Sequence, residues 1–157
     1  MRTTPRATAL LAVVAALAAC GGAAEETSAP TVTVQVGEQQ VTVDPTQYCL
    51  AGEGQRYTPV RPVLEVPAGT PIELRVPAVL AEEGWDVQVF DERLEEILGR
   101  VAVDPGTAVF DEITSDDVAP PAFHLVVVQR GDPDACAGLS GAWPVGFIRA
   151  EAGTPTP

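Results

Sequence analysis

Val63-Leu64-Glu65-Val66, Pro67-Ala68-Gly69-Thr70, Pro71-Ile72-Glu73-Leu74-Arg75-Val76 reads as strand, turn, strand. Short apolar-polar runs flank a Pro/Gly/Thr cluster, and Pro77 stops the second run. The same grammar extends outward. Val32, Val34 and Val36 alternate with Thr33 and Gln35, and Gly37-Glu38 turns the chain into Val41 and Val43. That is a hairpin pattern of period two, ended by Asp44-Pro45. Residues 47–59 read as a loop that carries Cys49. Trp85, Val87 and Val89 alternate with Asp86 and Gln88, as on a half-buried strand. Residues 101–103 and 107–110 read as further short strands, and 145–150 as the last one. Residues 123–128 are apolar on both faces except at His124, which predicts a central strand. The one predicted helix is 91–98, where Leu94, Ile97 and Leu98 fall at helical spacing between Asp91 as cap and Gly99 as stop. Fifteen prolines and 14 glycines in 157 residues exclude a helical bundle, because both residues break or weaken helix interiors. The expected fold class is all-β: a single small β-sandwich over residues 31–150 with at most one or two short helices.

The first residues read as an address. Arg2 and Arg6 precede an apolar run over 7–17, shorter than the roughly 20 residues of a membrane-spanning helix and suited to a signal peptide. The run ends in Leu17-Ala18-Ala19-Cys20, followed by Gly21 and Gly22. Leu-Ala-Ala-Cys resembles the lipobox of bacterial lipoproteins. The resemblance implies removal of residues 1–19, a diacylglyceryl group on the Cys20 thiol, palmitate-class acyl chains, and residence on the extracytoplasmic face of the cell membrane. The competing readings are plain secretion with cleavage near Ala19, or an uncleaved short anchor. Residues 20–30 then form a tether of small and acidic residues, and 151–157 a frayed tail. Loss of residues 1–19 takes Arg2 and Arg6 with it and moves the formal charge from -13 to -15. So acidic a chain excludes nucleic acid as a partner, since phosphate counterions are displaced by cationic side chains. It is like-charged to an anionic lipid surface, so a covalent lipid rather than a basic patch must hold it there.

With Cys20 committed to lipid, Cys49 and Cys136 remain, 87 positions apart. An even pair in an exported chain usually bridges. A reactive thiol would need a basic neighbour, whereas Cys136 follows Asp132-Pro133-Asp134 and Cys49 follows Tyr48. A structural disulfide is therefore expected.

The Glu65 to Val76 segment resembles a strand-turn-strand unit of cupredoxins and other immunoglobulin-like bacterial sandwiches. Taken with the lipobox, Asp44-Pro45-Thr46-Gln47-Tyr48-Cys49, Arg75-Val76-Pro77 and Gly84-Trp85, the chain also resembles a family of uncharacterised actinobacterial lipoproteins with a domain of unknown function. That resemblance implies a location and a fold without an activity.

The chemistry-bearing residues are few. A type 1 copper site uses two histidines, a thiolate and usually a methionine, whereas this chain has His124 alone and loses Met1 with the signal. Zinc lacks ligands on the same count, so no metal and no cofactor are expected. Ser115 and Ser140 sit in no nucleophile elbow, and His124 on an apolar strand reads as a packed histidine, so no catalytic residue is assigned. Carboxylates crowd Glu82 to Glu96 and Asp111 to Asp117; Asp116-Asp117 and Asp132-x-Asp134 offer calcium-type oxygens without an EF-hand spacing. Trp85 reads as core. Trp143, between Ala142 and Pro144, reads as a loop aromatic near Cys136 and is the weak candidate for anchoring a ligand or partner. The expected function is a non-enzymatic binding or envelope-interaction module, taking an envelope protein or small ligand. The alternatives are a small carboxylate-dependent hydrolase and a calcium-dependent adhesion-type domain.

Overall fold

The computed structural model describes residues 28–150, apart from 119 and 133. The expected signal segment, Cys20 and the expected tail at 151–157 lie outside the described residues. Eleven strands form two sheets. The first sheet has the order β2 (Gln39–Val43), β1 (Val32–Val36), β6 (Pro71–Arg75), β9 (Val109–Thr114). The second runs β4 (Glu53–Arg56), β3 (Gln47–Leu50), β11 (Ala142–Arg149), β10 (Ala122–Gln129), β7 (Trp85–Asp91), β8 (Ile97–Val103). All of these pair antiparallel; β5 (Val63–Val66) alone lies parallel to β11. The result is the small all-β sandwich expected from the alternating runs.

The 63–76 stretch is the hinge of that architecture. Its two strands do not pair with each other: β5 joins β11 in one sheet, and β6 joins β1 and β9 in the other. The turn between them carries the chain across the sandwich, and Ser115 clamps it. The buried Ser115 hydroxyl donates to the Pro67 carbonyl at 2.7 Å and accepts from the Thr70 amide at 3.1 Å. Alternation explains the core: Val32, Val34, Val36, Leu64, Val66, Ile72 and Leu74 point inward to meet Val87, Leu125, Val127, Val145 and Phe147. Trp85 and Trp143 are fully buried, and each indole N–H finds a carbonyl at 2.8 Å, from Thr107 and Pro30 respectively. With Ala29 also packed on the core, folded contacts begin inside the segment read as tether.

Three sequence readings change. The helix expected over 91–98 is the tip of a β7–β8 hairpin. Asp91 does cap backbone amides, but its Oδ1 accepts from Glu95 and Glu96 within a turn, and Ile97 and Leu98 emerge exposed on β8. The α-helix instead is α1 (Ala78–Glu83), which begins after Pro77 and ends at Gly84 with φ +81°. The loop expected over 47–59 contains the β3–β4 hairpin, closed by Ala51-Gly52 with φ of +50° and +81°. Only Tyr48 of that hairpin is buried, so it carries no period-two signal. Finally, the last strand begins at Ala142, which places Trp143 on β11 and not in a loop.

Candidate functional site

Among the edge strands of this sandwich, β8 ends one sheet and β9 ends the other. They lie on the same flank, and between them opens a groove of about 520 Å³. Val89, Leu98, Gly99 and Val101 form one wall, Ile113 and Val118 the other, with Pro120 closing one end. Alternation on β7, β8 and β9 turns Val89, Val101 and Ile113 inward, yet no further strand arrives to cover them. Ile97 is 58% exposed and Leu98 43%, so apolar surface continues along the β8 edge.

Charges mark the two rims, and both are held in place. Arg100 reaches back to Asp86, which is 98% buried on β7 and also meets Arg130 at 3.2 Å. The Asp86 carboxylate beside it holds the Arg100 guanidinium even further above its ordinary range. Arg130 also donates to the carbonyls of Trp85 at 2.9 Å and Val103 at 2.8 Å, tying β10 to both strands of the hairpin. On the opposite rim, Asp117 accepts from the Thr114 amide and hydroxyl, which lowers its pKa. A groove whose rim groups already have partners keeps its shape before anything binds. Sequence reasoning missed Asp86 as a buried hub; its one signal was a carboxylate between Trp85 and Val87 on an apolar strand.

The other sequence candidates fall elsewhere. Cys49 and Cys136 are disulfide-bonded, with 5.7 Å between Cα atoms. The bridge fastens β3 to the 3-10 turn Ala135–Gly138. Trp143 is a correction: it has no exposed surface, packs edge-on against Tyr48, and offers a partner nothing to grip. His124 stands on β10, central as expected, with Nδ1 3.2 Å from the Asp91 carbonyl. No cluster of three or more His, Cys, Asp or Glu side chains suited to a metal ion occurs among the described residues. Asp132 and Asp116-Asp117 serve local turns and an arginine pair instead.

Residues 25–129 match the family described as a protein of unknown function, DUF2771. The chain belongs to that family. The DUF2771 match runs through β1 to β10 and contains every residue lining the groove. Cys136, Trp143 and the rest of β11 lie beyond it. No curated protein and no solved structure matches the chain.

Proposed function

We propose that this chain is an extracytoplasmic lipoprotein, held at the cell membrane by lipid on Cys20, whose sandwich acts as a non-enzymatic binding module of the envelope. The observation that carries the binding reading is the open flank: an apolar groove between two unpaired strand edges, with rim charges already fixed. Such a groove suits an apolar ligand or an extended segment of an envelope protein laid along β8. The anchor reading rests on Leu17-Ala18-Ala19-Cys20 and on a folded body that starts nine residues later, at Ala29. The disulfide fits an oxidising compartment.

The hydrolase alternative gains no support from the carboxylates. Asp86 is engaged by two arginines, Asp91 and Asp117 by backbone amides, and the His124 ring meets a main-chain carbonyl. The calcium alternative likewise finds no converging set of oxygens among the described residues.

Photo-crosslinking in intact cells tests the binding reading. A photoreactive side chain at Leu98 should yield a covalent adduct with an envelope component, and one at Thr42, on the far edge strand β2, should not. Equal yields, or no adduct from Leu98, would contradict it.

A further inference from the structure

We infer that a second hollow, ringed by Arg61, Arg93 and His124, binds the phosphate group of a small organic ligand. This hollow of about 440 Å³ is built from three separate segments. Arg61 comes from the approach to β5, Arg93 from the tip of the β7–β8 hairpin, and His124 from β10.

Arg61 is the anomaly that points here. The chain carries an excess of thirteen acidic charges, and its other arginines in the folded body find partners. Arg75 meets Glu73, Arg100 and Arg130 meet Asp86, Arg149 meets Asp116, and Arg56 meets Gln47. Arg61 makes no ion pair and no side-chain hydrogen bond among the described residues. Arg93 lies near Asp91 and faces Glu92, which also lines the hollow, at 4.0 Å with both side chains mostly exposed, an arrangement that contributes almost nothing. Two guanidinium groups therefore border one hollow with their donors unspent.

The remaining features set the donors in place. The Asp91 carbonyl can only accept, so His124 carries hydrogen on Nδ1 and its ring is oriented by that bond. The ring lies over Gly146, where a β-carbon would stand 3.1 Å from Nε2 and 3.0 Å from Val63 Cγ2. A side chain there would displace His124 and Val63, both of which line the hollow. Beside Arg93, Leu94 is held at φ +60°, a conformation that costs a leucine energy, while Asp91 grips the following two amides. The hairpin tip is thus a fixed mount for Arg93.

Two guanidinium groups from separate segments supply donors for several oxygens of a phosphate, and His124, its Nδ1–H given to the Asp91 carbonyl, offers Nε2 as an acceptor for a phosphate hydroxyl. A carboxylate, planar and with two oxygens, is satisfied by a single guanidinium fork. Val63 and Leu94 add apolar wall beside the charged groups, which leaves room for the organic body of a phosphate ester. The site shares no residue with the β8–β9 groove and stands or falls separately from the anchor.

The test is calorimetric titration of the full chain in detergent with glycerol 3-phosphate and with acetate. The expected result is one saturable site for the phosphomonoester. Arg61→Gln and Arg93→Gln should each weaken it about tenfold or more, and Arg75→Gln, on β6, should leave it unchanged. Gly146→Ala, which presses on His124 and Val63, should weaken it too. No saturation by about 10 mM, equal binding of acetate, or full affinity in both arginine variants would overturn the assignment. Displacement by a short-chain phosphatidic acid would name a lipid headgroup as the source, and its failure a soluble phosphate ester; either upholds the site.

Discussion

The indole of Trp143 folds back over Gly141 so closely that a β-carbon there would stand 2.3 Å from Cη2 and 2.6 Å from Cζ3. Gly141→Ala must therefore push the ring off its seat against Tyr48 and away from the Pro30 carbonyl. Overpacking of this kind costs about 1 to 3 kcal/mol, and losing the indole hydrogen bond adds about 1 kcal/mol. Urea unfolding should show the midpoint falling accordingly; an unchanged midpoint would mean that the ring has another place to go. Neither contact is visible in the string Gly-Ala-Trp-Pro, which reads as a loop because glycine and proline flank the tryptophan. A proline inside β11 is tolerated because Pro144 falls in the gap between Ala142, which pairs with β3, and Gly146, where pairing with β5 begins. Asp86 teaches the same lesson. Its alternation with Trp85 and Val87 assigns it to the outer face, yet Arg130 and Arg100 fold over that face and bury it. Burial by a long side chain from another strand leaves no periodic trace.

Among elements, the strands that alternate cleanly were legible: β1, β2, β6 and β7 fall where valine, isoleucine and leucine recur every second residue. Elements exposed on both faces were not, as the β3–β4 hairpin shows. The 91–98 segment misled because a capping aspartate followed by apolar residues three and four apart serves a hairpin turn as well as a helix. That turn and the one at Asp117 give the fold an acid-sensitive corner. The Asp91 carboxyl is held below its ordinary value of 3.8, first by the Glu96 amide and also by those of Glu95 and Arg93. Asp117 is lowered in the same way by the Thr114 amide and hydroxyl. A depressed pKa means that the ionised form is favoured in the folded state. The contribution is therefore complete above the unfolded value near 3.8 and is lost as pH falls through the lower folded one. In an NMR titration the amide protons of Glu96 and Thr114 should move upfield with midpoints below 3.8, and Asp91→Asn should abolish the Glu96 response only. Midpoints at or above the ordinary value would contradict the hydrogen-bonded geometry.

For the whole molecule, sandwich class followed from composition and alternation, whereas strand order did not. The groove exists because β8 and β9 are the last strands of their sheets on one flank, a fact of long-range pairing that no local run encodes. Its walls come from residues 89, 98–101, 113, 117, 118 and 120, and the second hollow gathers 59, 61, 63, 92–94 and 124. The disulfide was legible by counting, and it closes an 87-residue separation, a constraint that contributes about 4 to 5 kcal/mol in the chain-entropy treatment. Charge, in turn, shapes how such a molecule can sit at a surface. A body with so large an acidic excess is repelled by anionic lipid, so the proposed residence at a membrane depends on the thiol of Cys20. The proposed envelope location and binding partner hang on that one attachment. The direct test is metabolic labelling with an alkyne palmitate, followed by membrane fractionation, of the full chain and of Cys20→Ser. The account predicts label and membrane residence for the former, and an unlabelled, released protein for the latter. A Cys20→Ser chain that stays with the membrane, or a parent chain that takes up no label, would contradict it.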